Sequence, residues 1–148
     1  MQVFRRLSFR LFSTSIVDVN PLSNDKQLVE ITKLMKNYNN SHVPIRTYAL
    51  FEWMINIIDL KPDLNCYLRV IRACTDLNNR NICEKIHKFI DKDQQLSSND
   101  HLQLQIKLIY MYAKIKHIEA AEQLFRLIRN SLSDISLFGT MFKGERVR

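Results

Sequence analysis

Glycine is missing from the first 138 residues of this 148-residue chain, in which Gly139 and Gly144 are the only two. That absence narrows the available folds more than any motif does. A sheet protein reverses its strands in tight turns, and those turns need Gly, Asn or Asp at positions of positive φ. A backbone that closes around phosphate, as in a dinucleotide fold or a P-loop, needs glycine for the close approach. Around and between Pro21, Pro44 and Pro62 the chain is dominated by Leu, Ile, Lys, Gln, Glu and Met, which favour helix. The expected class is all-α. The length is ample for a core, since special staples are needed only below about 40 residues.

Self-similarity decides the architecture of such a chain. Residues 64–90 align without gaps over residues 102–128, an offset of 38 residues. Leu64 meets Leu102, Leu68 meets Ile106, Val70 meets Leu108 and Ile71 meets Ile109; later, Glu84 meets Glu122, Ile86 meets Leu124, Phe89 meets Leu127 and Ile90 meets Ile128. Each copy holds two apolar stripes of helical period. In the first copy these are Tyr67, Val70, Ile71 and Cys74, then Ile82, Ile86, Phe89 and Ile90. In the second they are Leu104, Leu108, Met111, Tyr112 and Ile115, then Ile118, Ala121, Phe125 and Ile128. Asn78 and Asn79 punctuate the first copy, because asparagine tolerates the left-handed conformation at a helix end. Ala113, Ala120 and Ala121 suit close helix approach. Upstream, Leu28, Ile31, Met35 and Tyr38 form one stripe and Tyr48, Phe51, Ile55 and Ile58 another. Lys61-Pro62-Asp63 closes that pair: proline stops the helix, and Asp63 is placed to cap the next. Asp134 is placed to cap one more. A helix pair cannot bury its apolar side alone, so the expected product is a right-handed α-solenoid of stacked antiparallel pairs, its concave face lined by first helices.

The net charge is +7, but residues 16–142 carry sixteen bases against fourteen acids, so much of the excess lies at the two ends. Basicity alone is therefore a weak argument for nucleic acid. Residues 1–15 hold Arg5, Arg6 and Arg10, several serines and no acid. As a helix they set Phe4, Leu7 and Leu11 in one stripe, the composition of a mitochondrial transit peptide; Arg10 breaks any secretory apolar run. Cys66, Cys74 and Cys83 fall in apolar helical positions and read as buried thiols. No apolar run approaches the roughly 18 residues of a membrane span.

Chemistry-bearing constellations are sparse. His117-Ile118-Glu119 matches half of a zinc deaminase signature, but no later Cys-x-x-Cys completes it. Cys74, Cys83 and His87 lack the paired short spacing of a structural zinc site, so no metal and no cofactor is expected. No nucleophile-base pairing stands out, and no enzyme activity is expected. Tyr110 and Tyr112 are the aromatic candidates for stacking on bases, with Tyr112 assigned to the core stripe.

Several segments resemble pentatricopeptide repeats. Leu50-Phe51-Glu52-Trp53-Met54, running on to Leu60-Lys61-Pro62-Asp63, looks like a second helix and its closing turn. Arg72-Ala73-Cys74-Thr75-Asp76-Leu77 with residues 85–90 resembles the long variant of the repeat. Residues 108–114 with 118–125 resemble the short variant that follows it, and residues 134–141 the opening of another. The resemblance implies a domain order of transit peptide (1–20), degenerate helix pair (24–63), long repeat (64–101), short repeat (102–134) and partial repeat (135–148), with the chain read as a truncated member. It also implies single-stranded RNA as the partner, read one base per repeat in an organelle, here the mitochondrial matrix. Carried onto this chain, the reading positions are Leu68 and Ile106 in first helices, with His101 and Asp134 as their repeat-closing partners. Asn65 and Gln103 would sandwich the bases. Apart from the resemblance, Arg69, Arg72 and Lys107 lie near the same helix surface, where they either neutralise phosphates or form a solvated helix face. Asparagine, serine or threonine would hydrogen-bond a base edge at the reading position, whereas Leu68 and Ile106 offer only contact. A scaffold that binds protein partners on an apolar groove, or a remnant without function, is the alternative.

Overall fold

The structure is a computed structural model that describes residues 23–131. Among these residues there are six helices and no strand: α1 (Asn24–Asn40), α2 (Pro44–Asn56), α3 (Leu64–Leu77), α4 (Arg80–Lys92), α5 (Ser98–Lys114) and α6 (Ile118–Ser131). The all-α expectation holds, and the arrangement is that of a helical-repeat solenoid. The first helices of the three pairs stack in a row, α1 on α3 and α3 on α5. Within the second row, α2 packs on both α1 and α3, and α4 on both α3 and α5, while α6 packs on α5. Each second helix before α6 thus wedges into the following pair, which is how neighbours bury what a lone hairpin leaves exposed.

The helix boundaries follow from side-chain chemistry. The Asp63 carboxylate accepts the Cys66 N–H at 2.9 Å and caps α3, as its position after Pro62 predicts; such a cap contributes about 1 kcal/mol. Asn78 ends α3 in the left-handed conformation (φ 52°), and Asn79 then caps α4 through its Oδ1. The same turn recurs where no asparagine announces it. His42 (φ 60°) and Lys116 (φ 64°) occupy the equivalent place in the first and third pairs. In all three the left-handed residue donates its N–H to the carbonyl three residues back: His42 to Asn39, Asn78 to Thr75 and Lys116 to Ala113, at 3.1–3.2 Å.

These three turns set a common register, with offsets of 36 and 38 residues between successive pairs. Burial obeys it. Counting from the turns, Thr47, Cys83 and Ala121 are equivalent, as are Leu50, Ile86 and Leu124, and Met54, Ile90 and Ile128; all nine are buried. In the first row, Ile31, Tyr67 and Gln105 are equivalent and buried. The upstream pair, read as degenerate, is a regular member of the stack. Its α1 buries Ile31 and Met35, and a buried polar relay joins it to its neighbours. Thr47 Oγ1 lies 2.8 Å from Asn39 Oδ1, and Asn39 Nδ2 donates to the Arg69 carbonyl, linking α1, α2 and α3.

One expectation is corrected. The sequence period puts Ile118 and Phe125 in the core stripe of α6, but they are 52% and 42% exposed, and Leu124 is buried instead. The side of α6 that meets α5 is centred on Ala121, Leu124 and Ile128. Of the three alanines, Ala113 is exposed while Ala120 and Ala121 are covered. Helix α5 begins at Ser98, capped by Ser97 through the Asp100 N–H, so residue 101 lies inside its first turn.

The three cysteines are buried free thiols. Burial pushes Cys66 up to about 12 and Cys83 to about 11, and raises Cys74 as well, so all three serve as small core residues. Among the described residues, no helix is long and apolar enough to cross a membrane.

Candidate nucleic-acid interface

The face of the first-helix row that points away from the second helices gathers most of the sequence-derived candidates. On α3, Asn65 and Arg72 are exposed and Leu68 and Arg69 half-buried, with Leu68 leaning on the core. On α5, Gln103 and Lys107 are exposed and Ile106 is half-buried. Residues three, four and seven apart share a helix face, so each set is contiguous.

The turn register adds what the sequence reading missed. Nine residues before the left-handed turn stand Lys33, Arg69 and Lys107; six before it stand Lys36, Arg72 and Tyr110; two before it stand Asn40, Asp76 and Lys114. A cation therefore recurs at the same place in all three first helices, and stacking brings the three into one row. Lys36, Arg72, Lys107 and Lys114 take part in no ion pair among the described residues. Lys33 makes one exposed contact to Glu30 at 3.6 Å, a pair of little strength in water. Arg69 is different: its Nε is buried and has no hydrogen-bond partner. A buried N–H left unpaired is costly, and with its Nε closed off from solvent this guanidinium can meet a phosphate only through its terminal nitrogens. Asp100, seven residues before Lys107, joins Glu30 and Asp76 here, so the six bases of this face compare with three acids.

One candidate stands elsewhere. His101 shares a helix side with Leu104, Gln105 and Leu108, all buried, and so lies across α5 from Gln103 and Lys107. It is close enough to His87 of α4 to disfavour that ring's protonation. Leu68 and His101 are thus not brought to one face. Asp134 lies outside the described residues.

Comparison with known proteins bears on this face. The chain is similar to a pentatricopeptide repeat protein. Over 122 residues it is 30% identical to a pentatricopeptide repeat-containing protein, chloroplastic, of Arabidopsis thaliana, a match covering 80% of this chain. The chain spans 16% of the length of that curated relative. No family model matches the chain. No solved structure matches it either. The likeness supports the resemblance to pentatricopeptide repeats and agrees with the helical-repeat architecture.

The opposite, second-helix side carries a polar cluster of structural character. Tyr112 of α5, 2% exposed, meets the rings of His87 and His117 edge-on at 5.5 and 5.4 Å. His87 Nδ1 is 2.8 Å from Tyr112 Oη and its Nε2 is 3.2 Å from Asp91, while His117 Nε2 is 3.4 Å from Glu84. Asp91 also accepts from the buried Gln105 amide. The cluster ties α4 to α5 and α6. Burial holds the His87 imidazole below its ordinary value of 6.5, outweighing the pull of Asp91 and Glu84 in the other direction. Neutral His87 donates from Nε2 to Asp91 and accepts the Tyr112 hydroxyl proton at Nδ1. Unfolded chains take up this proton more readily, so stability is complete above the unfolded value and falls as pH drops through the lower folded one. The urea midpoint is expected to fall from about pH 7 to about pH 5, and less steeply in His87→Gln. Equal pH slopes in the two proteins would assign the effect to other groups.

Proposed function

We propose that this chain is an organellar, non-catalytic helical-repeat protein of the pentatricopeptide type that holds single-stranded RNA along its first-helix face. The observation that carries this reading is the cation recurring in register at Lys33, Arg69 and Lys107, reinforced by Lys36, Arg72 and Lys114. A strand laid across stacked repeats meets one such charge per repeat, whereas a groove for an apolar peptide would not repeat cations. First and second helices are both mildly basic, so it is the recurrence in register, and not a net segregation of charge, that marks this face.

The order of long (64–101) and short (102–134) variants and the arginine-rich leader support a role in organellar RNA metabolism, with the mitochondrial matrix as the site. Apolar Leu68 and Ile106 contact bases without reading their edges, so the strand is held with modest sequence preference. Asn65 and Gln103 flank those positions and contribute hydrogen bonds.

Fluorescence anisotropy of the full chain with a labelled single-stranded RNA of randomised sequence tests the proposal. Neutralising several phosphates makes binding fall steeply with salt, with a slope of about 0.7 per contact for single strands. If most of the six cations engage, affinity drops on the order of 100-fold between about 50 and about 200 mM salt. Binding that is absent at low salt, or flat across this range, rejects the RNA reading in favour of the peptide scaffold.

A further inference from the structure

On this first-helix face, Tyr110 breaks the pattern of its equivalents. Where the first and second pairs place Lys36 and Arg72, the third presents a phenol ring that is 68% exposed. Among the described large apolar side chains none is more exposed. The ring hydroxyl has no hydrogen-bond partner among the described residues, and the ring is not engaged with another aromatic. Its neighbours on the same helix face are cations one turn away on either side, Lys107 at i−3 and Lys114 at i+4. Neither has an acidic partner. Arg72, its equivalent on α3, lies one helix away in the stack.

We propose that Tyr110 is a base-stacking platform, a flat face on which one nucleobase of the bound single strand rests while Lys107 and Lys114 hold the phosphates on either side. This deepens the RNA reading and rests on it. Charge complementarity selects the occupant. An apolar peptide would leave both ammonium groups unpaired beside it, whereas a nucleotide supplies a π-face and flanking anions together. Every base has such a face, so a stacked tyrosine holds RNA without reading it. That suits a chain whose reading positions are Leu68 and Ile106. The site also accounts for an aromatic residue in a row otherwise reserved for cations.

The test uses the full chain, wild type and as Tyr110→Ala and Tyr110→Phe, with the labelled RNA of randomised sequence. Because the side chain is exposed, helicity by circular dichroism and the urea midpoint should be unchanged in both. Tyr110→Ala is expected to bind about tenfold or more weakly, and Tyr110→Phe within about twofold of wild type, because stacking needs the ring and not the hydroxyl. The salt slope should be the same in all three, since no charge is removed. If wild type binds and Tyr110→Ala binds equally well, or loses affinity through a changed salt slope, the platform is refuted and the RNA reading stands. If wild type itself fails to bind at low salt, the RNA reading falls and takes the platform with it.

Discussion

Phe51→Ala is expected to destabilise the protein by about 3–5 kcal/mol, the cost of removing a buried phenyl ring that the surroundings cannot replace. Phe51 is 1% exposed and belongs to α2, yet its ring contacts lie in the next pair: Tyr67 of α3 at 6.1 Å and Phe89 of α4 at 5.7 Å, the latter edge-on. Such aromatic pairs add about 0.5–1.5 kcal/mol each beyond area burial. Beside it, Lys85 of α4 bonds Glu52 of α2 at 2.8 Å, so removing the ring also loosens the frame around that ion pair. Domains of this size are stable by only about 5–15 kcal/mol, so one substitution removes a large share. Urea unfolding followed by the fluorescence of buried Trp53 and by helicity should show a lower midpoint. If the two probes separate, the first pair has come loose while the second remains folded. Leu127→Ala, at a position 65% exposed, should change stability by less than about 0.5 kcal/mol. A midpoint for Phe51→Ala within error of wild type would mean that the first two pairs do not depend on each other.

How much of this was legible in the chain depended on whether local chemistry or a neighbour decided the outcome. The caps at Asp63 and Asn79 and the left-handed Asn78 were readable, because aspartate and asparagine advertise those roles by their own side chains. His42 and Lys116 adopt the same backbone state without any such signal, so the full three-pair register emerged only from the structure. The start of α5 carries no apolar signal, because Ser97-Ser98-Asn99-Asp100 shows no apolar period. The bond from the Asp100 N–H to the Ser97 hydroxyl is the cap signature that could have revealed it. The α6 stripe failed differently. A period of 3.6 marks an apolar arc, but which part of the arc is covered depends on where the partner helix lies, and α5 covers Ala121 and Leu124 rather than Ile118. At the candidate site, Asn65 and Gln103 follow from family position and Arg69, Arg72 and Lys107 from helical spacing, and all five share this face. Lys33, Lys36 and Lys114 were invisible without the register, and His101 was assigned by motif position although its helix side is turned toward the core.

Neutralising the cation row should weaken RNA binding far more than removing the same charge elsewhere. The triple variant Arg69→Gln, Arg72→Gln, Lys107→Gln takes three bases from the first-helix face, none of them paired with an acid. If each neutralises one phosphate, the salt slope falls by about 2 and affinity at about 50 mM salt falls on the order of 100-fold. Glutamine keeps most of each side chain's length and polarity, so folding should survive at the exposed Arg72 and Lys107. Arg69 is partly buried and is the position to check by helicity; Arg69→Lys restores charge there without the fork of donors. Arg69→Lys should recover the salt slope but not the full affinity, since an ammonium cannot reproduce a two-point guanidinium contact. The control carries the same loss of net charge on second helices, as Lys88→Gln, Arg126→Gln, Arg129→Gln, all exposed. Long-range attraction drops equally in both triples and is screened beyond about 10 Å, so the control should lose less than about threefold. Equal losses in the two triples would show that RNA responds only to total charge, and the first-helix face would then be no more an interface than any other basic surface.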